Sequence, residues 1–168
     1  ERERSILEFT DNSFVFNGFS KLYAMTGLRL GYLIAPPDYM RTLQKLAQNF
    51  FISANTVSQY AGIAALAKCH DEVEEMKRIY NQRRVRIIER LKSMGFGITV
   101  EPRGAFYVLA NVRFLCEGLQ CSSYDLAFDI LENALVGVTP GIDFGQGAEG
   151  YIRFSYANSL ENIEQGMD

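Results

Sequence analysis

The sequence predicts an α/β fold followed by a smaller α+β layer, and three observations support this prediction. Two apolar, β-prone runs over residues 13–18 and 29–35 are too continuously hydrophobic for strands with one face in water. Residues 71–94 carry apolar side chains at helical spacing between charged ones. Beyond that segment, short β-prone runs alternate with helical ones, which is typical of a mixed layer.

The first half contains two predicted strands and two predicted helices. The runs SFVFNG and RLGYLIA predict strands buried inside a layered architecture, with a turn between them. Pro36-Pro37-Asp38 ends the second strand and begins a helix to about Phe50. One face of that helix is apolar and contains Tyr39, Leu43, Leu46 and Phe50. An alanine-rich helix then follows the polar stretch 53–56 and ends near Lys68.

The second half begins with the long helix, which Gly95 and Gly97 end. Shorter elements follow it, namely strands over 98–101, 106–110, 135–139 and 151–156 and a helix over 123–134. In the last strand, alternation places Arg153 on one face and apolar residues on the other, namely Ile152, Phe154 and Tyr156. Asn158, with Glu161 three residues later, predicts a capping box for a final helix.

Composition narrows the classes of function. The chain has 168 residues, 48% of them hydrophobic, and a formal net charge of −3. Basic residues cluster only between Lys77 and Arg86, on a predicted helix, so we expect a solvated helix face and no nucleic-acid partner. No apolar run approaches the roughly 20 residues that span a bilayer, so we expect no membrane partner.

The cysteines predict reduced thiols rather than a metal site. Cys69, Cys116 and Cys121 are odd in number and lack the short paired spacing of zinc ligands. The single histidine, His70, cannot complete a ligand set with them. We therefore expect a cytoplasmic protein without a bound metal.

The segment SKLYAMTGLRLGY contains two cations, Lys21 and Arg29, eight positions apart in a mostly apolar stretch. We expect Lys21 to be partly buried because it directly follows an apolar strand. Burial disfavours the charged ammonium and makes the amine available as a nucleophile, a base or a Schiff-base former. An ordinary solvated lysine at a strand end is the more frequent alternative.

Arg29 and Arg153 each lie in a predicted strand among apolar neighbours, where an unpaired guanidinium is costly. Arg29 stands between Gly27 and Gly31, which let another group approach the backbone closely. A phosphate bound by Arg29 and the Ser20 hydroxyl would provide the anionic partner that the Arg29 guanidinium needs. Arg153 is suited to bind a substrate carboxylate through two parallel hydrogen bonds. For both arginines, the alternative is a structural ion pair with a protein carboxylate.

The string NGFSKLYAMTGLRLGY resembles the cofactor-attachment segment of class I/II aminotransferases, the fold-type I enzymes that depend on pyridoxal 5'-phosphate (PLP). In that family a lysine is followed eight residues later by an arginine within Gly-x-Arg-x-Gly-Tyr. Four later segments match the family in order: SANTVSQYA, EPRGAFYV, VTPGIDFG and YIRFSYA. The resemblance extends from about Phe14 to Asp168.

The resemblance implies a C-terminal portion that lacks the N-terminal half of such an enzyme. Residues 1–50 would be the remnant of the large cofactor-binding domain of the PLP-dependent transferase fold. Residues 51–94 would form a helical connection with the long inter-domain helix, and 95–168 the small α+β domain. The chain opens at a glutamate and ends inside a predicted helix, which also favours a piece of a longer protein.

Position by position, the resemblance implies that Lys21 forms the Schiff base with PLP and carries the proton during catalysis. Arg29 would bind the cofactor phosphate and Arg153 the substrate α-carboxylate. Related sequences often carry a serine three residues before the lysine, where this chain has Gly18, so Ser20 is the candidate substitute. The parent protein would be a homodimeric aminotransferase acting on an amino acid and a 2-keto acid.

Three of the family's cofactor contacts belong to segments that precede the lysine and are not in this chain. They are the aspartate at the pyridine nitrogen, the tyrosine beside the cofactor oxygen and the stacking ring. We therefore expect the 168-residue chain alone to be inactive as an aminotransferase.

Other functions compete with this interpretation. A C–S lyase or a decarboxylase on the same fold would use the same lysine and arginines. An aminotransferase-like effector domain of a transcription regulator is an alternative from a different class. A Ser-Lys hydrolase is set aside, because adjacent side chains on a strand point to opposite faces.

Overall fold

The structure, a computed structural model, describes residues 4–168 and divides into two compact units. The first unit is Glu1–Glu75 and the second is Met76–Asp168. Residues 1–3, with which the first predicted domain begins, lie outside the described residues. The predicted domain division at residues 50 and 94 stays a prediction.

The elements mix helix and sheet, which confirms the predicted α/β class. The first unit contains β1 (Val15–Gly18), β2 (Gly31–Ile34), α1 (Pro37–Phe51) and α2 (Thr56–Lys68). Helix α3 (His70–Ser93) begins in the first unit and ends in the second. The second unit continues with β3 (Tyr107–Asn111), α4 (Arg113–Leu119), α5 (Ser123–Ala134), β4 (Thr139–Pro140), β5 (Tyr151–Ser155) and α6 (Leu160–Met167).

In the first unit, β1 and β2 form an antiparallel hairpin that pairs Val15 with Ile34 and Gly18 with Gly31. The cation-bearing segment connects the two strands, as predicted. The expectation that these strands are buried is wrong for the described residues, since the Phe16 side chain is 77% exposed. Continuous hydrophobicity predicts that both faces of a strand are buried. Among the described residues of this unit, however, Phe16, Tyr32 and Ile34 of the hairpin remain exposed.

The second unit is built on an antiparallel sheet with the strand order β3-β5-β4. The predicted alternation in β5 is confirmed, because Ile152, Phe154 and Tyr156 are all buried. They join a core cluster with residues from α3, β3, α4, α5 and α6. Helix α3 ends as predicted, with Gly95 in the left-handed region at φ 87°.

Two predicted strands of the second unit are wrong. Residues 98–101 form no strand, because only Gly97 of that edge pairs, with Asn111 in an isolated bridge. The strand predicted over 135–139 reduces to Thr139–Pro140. Leu135 instead ends α5 in the left-handed region at φ 58°. A strand needs a partner along its length, and neither segment has one.

Helix termini also differ from the sequence predictions. Helix α4, which the sequence analysis missed, is only seven residues long. The cap of α6 is Ser159 rather than Asn158, because the Ser159 hydroxyl accepts the amide N–H of Asn162 at 3.1 Å. Asn158 instead orders the turn before it, accepting the Ser159 amide N–H at 2.8 Å.

Candidate active site

Lys21 lies on the turn that follows β1. The turn is anchored by Phe19, which is buried and whose carbonyl accepts the amide N–H of Tyr23 at 3.2 Å. The Lys21 carbonyl accepts the amide N–H of Ala24, also at 3.2 Å. The expected partial burial of Lys21 is wrong in this unit, where the side chain is exposed. Because the lysine is on a turn and not a strand, the strand-geometry objection to a Ser-Lys pair does not apply.

Arg29 is not in a strand, contrary to the prediction, but ends the short 3-10 helix Thr26–Leu28. Its backbone is left-handed at φ 51°, a conformation that costs a non-glycine residue about 1–2 kcal/mol. The Arg29 guanidinium donates to the Thr26 carbonyl at 2.9 Å. The buried Ser58 hydroxyl of α2 donates to the Leu28 carbonyl at 2.6 Å and so fixes the turn from outside.

Ser20 and Arg29 line one open cleft of about 400 Å³ beside the hairpin. The Thr26 hydroxyl donates to the Ser20 carbonyl at 3.3 Å and ties their two turns together. A Cβ at Gly31 would approach the Asn17 carbonyl oxygen to 3.1 Å, so this glycine permits the close strand pairing at the cleft floor. The structure therefore brings together two of the three predicted cofactor-binding residues, while the Lys21 side chain lies outside the lining.

Within the described residues, neither arginine makes the ion pair with a carboxylate that the alternative interpretation requires. Among residues 4–168, the polar partner of the Arg29 side chain is the Thr26 carbonyl. For Arg153 it is the Thr139 hydroxyl. Both guanidinium groups thus retain donors for an anion that the described chain does not supply.

Arg153 lies in the second unit, at the middle of β5, opposite Leu109 of β3 and Thr139 of β4. Its Nη2 donates to the Thr139 hydroxyl at 3.2 Å. The guanidinium carbon lies 4.2 Å from the centre of the Tyr107 ring and 4.6 Å from that of Phe144. Two aromatic faces and one hydroxyl therefore fix the orientation of a half-buried guanidinium.

This arrangement is suited to binding a carboxylate. Aromatic faces attract the cation without using its N–H donors, which point along the plane of the guanidinium. Bidentate binding of a carboxylate uses that in-plane edge. The geometry of Arg153 leaves this edge without a protein carboxylate among residues 4–168.

The half-buried Glu149 carboxylate and the buried Ser123 support the segment that carries Phe144. Glu149 accepts the amide N–H of Ser123 at 2.7 Å and the Ser123 hydroxyl at 2.8 Å. The Ser123 hydroxyl also accepts the amide N–H of Ile142 at 3.4 Å, at the start of the Phe144 turn. The hydrogen bond from the Ser123 amide N–H is the largest of the contacts that favour the charged Glu149 carboxylate. It holds the pKa of Glu149 below its ordinary value.

Sequence reasoning missed the residues that position the predicted cations. No pattern in the sequence indicates that Tyr107, Thr139, Phe144 or Ser58 positions a cation. The segment VTPGIDFG contains both Thr139 and Phe144, but their approach to Arg153 depends on the β4–β5 register. Ser58 reaches Leu28 across 30 positions of sequence, which no local pattern indicates.

Residues 4–168 contain neither a metal-binding cluster nor a membrane-spanning helix. Within that range, no group of three or more His, Cys, Asp or Glu residues is placed to hold a metal ion. No helix of the same range has the length and apolar composition to cross a bilayer.

Comparisons with known proteins place this geometry in a family. The model of the family "Aminotransferase class I and II" matches residues 2–168. A (5-formylfuran-3-yl)methyl phosphate transaminase from Methanocaldococcus jannaschii is 40% identical over 98% of this chain and 43% of its own length. An aspartate aminotransferase from Pyrococcus horikoshii is 43% identical over 94% of this chain and 40% of its own length.

Solved structures agree with these sequence matches. The crystal structure of an aromatic aminotransferase from Pyrococcus horikoshii OT3 aligns with a TM-score of 0.89 and 37% identity, over 99% of this chain and 44% of that one. The chain thus spans about two fifths of the length of the relatives that it matches. On the match of almost its whole length, this chain belongs to the class I and II aminotransferase family.

Proposed function

We propose that this chain supplies one part of the active site of a PLP-dependent aminotransferase, which moves an amino group between an amino acid and a 2-keto acid. One observation carries the proposal beyond family membership. The Arg153 guanidinium is oriented by two aromatic rings and the Thr139 hydroxyl, and it has no carboxylate partner among residues 4–168. Both proposed substrates share the α-carboxylate that such a group binds.

The residues of the first unit fit PLP by their chemistry. A primary amine, on Lys21, can condense with the aldehyde of the cofactor. Arg29 and Ser20 line one cleft, and a guanidinium and a hydroxyl can together hold a phosphate. The strained backbone of Arg29 is consistent with a binding role, since strain of this kind concentrates at functional sites.

When bound, PLP supplies a conjugated ring that withdraws electrons from the substrate α-carbon. The residues of this chain supply the groups that bind the cofactor and the substrate and that transfer the proton. Lys21 Nζ attaches the cofactor and moves the α-proton. Arg153 binds the carboxylate and thereby orients the bond to the α-hydrogen, while Tyr107 and Phe144 hold Arg153 in place. Arg29 and Ser20 anchor the phosphate.

The role of Lys21 can be tested in the full-length parent protein. With PLP added, we expect an absorbance band near the edge of the visible range that shifts when an amino donor is added. Borohydride reduction and peptide mapping should locate the cofactor on Lys21. Lys21→Ala should lower kcat at least about 10³-fold. The matched control is Lys45→Ala, which changes an exposed lysine of α1. Full activity of Lys21→Ala, or labelling of another lysine, would contradict the proposal.

The role of Arg153 has a separate test in the same parent protein. Arg153→Gln should raise KM for both the amino acid and the keto acid about 10- to 100-fold, because each loses a charge-assisted hydrogen bond. The absorbance band of the bound cofactor should stay. Arg86→Gln is the control, since Arg86 pairs with Glu164 on the helical surface. An unchanged KM in Arg153→Gln would overturn this assignment.

The relatives do not favour the alternative functions. Those reported above carry transaminase or aminotransferase names, and none is a lyase, a decarboxylase or a regulator. Their substrates differ, so the proposal stops at the amino acid and 2-keto acid classes. The parent is proposed to be a cytoplasmic homodimer, and the 168-residue chain alone to lack transaminase activity.

A further inference from the structure

Cys116 and Cys121 belong to one capping motif at the C-terminal end of α4. Helix α4 ends with Gln120 in the left-handed region at φ 52°. The Cys121 amide N–H donates to the Cys116 carbonyl at 3.0 Å, and the Gln120 amide donates to the Glu117 carbonyl at 3.4 Å. This pair of nested hydrogen bonds defines a Schellman motif, in which a contact between the side chains at these two positions is common.

The backbone bond also limits how far apart the two cysteines can be. The donor nitrogen is about 1.5 Å from its own Cα, and the acceptor oxygen is about 2.4 Å from its Cα. With 3.0 Å between nitrogen and oxygen, the Cα atoms of Cys116 and Cys121 are at most about 7 Å apart. Disulfides bridge Cα separations of about 4.4–6.8 Å, so the motif holds both residues within or next to that range.

The two thiols differ in access to solvent. Cys116 is only 8% exposed and belongs to the core of the second unit. Cys121 is half-buried and packs against the same core from its edge. Burial, and after it the neighbouring Cys121 side chain, raise the pKa of the Cys116 thiol. A half-buried thiol therefore lies near a buried one, at a separation that the backbone hydrogen bond limits.

We propose that Cys116 and Cys121 form a dithiol modification site, which low-molecular-weight disulfides convert to an intramolecular disulfide. The Cys121 thiolate attacks the disulfide R–S–S–R, releases one R–SH after protonation and leaves a mixed disulfide. The Cys116 sulfur then attacks the Cys121 sulfur and releases the second R–SH. Two protein thiols are oxidised, one external disulfide is reduced to two thiols, and no other reactant is required.

Cys69 provides the comparison within the chain. It lies in the first unit, where its thiol faces the Ala64 carbonyl at 4.0 Å. It has no cysteine near it in sequence and no second thiol in its own unit. All three cysteines are free thiols in this structure, so the proposed disulfide is a second state of the dithiol.

The test uses the full chain with Cys69→Ser, which leaves only the two thiols of the site. After equilibration with oxidised and reduced glutathione, we expect the loss of two free thiols and of two hydrogen atoms in mass, with no glutathione adduct retained. The equilibrium constant for closing the disulfide should be at least about tenfold higher in buffer than in strong urea. Adding Cys116→Ala should leave a stable glutathione adduct on Cys121.

A second measurement does not depend on oxidation. Phenylarsine oxide binds two neighbouring thiols, with arsenic replacing both thiol hydrogens and the oxygen leaving as water. We expect one equivalent to bind the Cys69→Ser chain, and at least about tenfold weaker binding after either Cys116→Ala or Cys121→Ala. Stable glutathione adducts on the intact pair, or an equal closing constant in buffer and urea, would overturn the proposal. So would arsenical binding that survives both single substitutions.

Discussion

The two units of this chain bury their apolar residues to different extents. The buried core of the second unit has 14 residues, drawn from its helices and its sheet. Among the described residues of the first unit, the core has three, namely Phe19, Met25 and Ala65. Yet the strands and helices of the first unit are at least as apolar in sequence, and helix α2 exposes Val57, Tyr60, Ile63 and Leu66. The two units therefore have similar hydrophobic patterns in sequence, but the second unit buries more of its apolar side chains.

The difference extends to the way in which each unit positions its candidate arginine. Arg153 is held by the packed sheet of its unit, through the register with Thr139 and the rings of Tyr107 and Phe144. Arg29 is held instead by local hydrogen bonds and a left-handed backbone. The proposed carboxylate-binding group is thus fixed by a core, and the proposed phosphate-binding group by a turn.

The largest expected effect contrasts one leucine from each unit. Leu91→Ala removes a side chain that is 0% exposed and should lower the free energy of unfolding of the second unit by about 3–5 kcal/mol. Leu66→Ala, at a leucine that is 66% exposed on α2, should change stability by less than about 0.5 kcal/mol. Urea unfolding followed by circular dichroism measures both. Equal losses would show that the two leucines are equally covered.

The next effect concerns the Glu149 network of the second unit. Glu149→Gln removes the charge that accepts two hydrogen bonds from Ser123 and should cost about 2 kcal/mol. Because folding lowers the pKa of Glu149, its contribution is present above the ordinary value of 4.5 and is lost as pH falls below it. Between pH 6 and about 3, the free energy of unfolding should fall less steeply with falling pH in Glu149→Gln than in the unsubstituted chain. Parallel curves would contradict this.

A smaller effect is expected at Tyr156, which is buried beneath the sheet. Its hydroxyl donates to the Ala105 carbonyl at 3.1 Å, so Tyr156→Phe should cost about 1 kcal/mol. Burial raises the pKa of Tyr156 above 10.0, so the protonated form is favoured by folding. Its contribution is present below pH 10 and is lost as pH rises further. Above pH 10, the free energy of unfolding of the unsubstituted chain should therefore fall more steeply than that of Tyr156→Phe.

Local patterns in the sequence predicted much of the second unit. The helix predicted over 123–134 is α5, with the same bounds, and the alternation in β5 correctly separated Arg153 from the buried face. The sequence also predicted the turn after β1 that carries Ser20 and Lys21, although it placed Arg29 in the following strand. These features depend on periodicity and on short-range geometry, which a sequence displays directly.

The errors arose where a feature depends on residues distant in sequence. The apolar pattern of β1 predicts that Phe16 is to be buried, but it does not show what covers that ring. The strand predicted at Leu135 failed because strand formation requires a partner, which a single segment cannot reveal. For the same reason, the support of Arg153 by Thr139 depended on a register that only the folded sheet defines.

The smallest effect is expected at the exposed face of the first unit. Ile63→Ser replaces a side chain that is 63% exposed and should change the free energy of unfolding by less than about 0.5 kcal/mol. It should, however, reduce self-association of the chain in light scattering, because exposed apolar faces promote it. Ile152→Ser is the matched control, since that isoleucine is 0% exposed and its loss should unfold the second unit. If Ile63→Ser destabilises the chain as strongly as Ile152→Ser does, the face of α2 is covered in solution, and the contrast between the units fails.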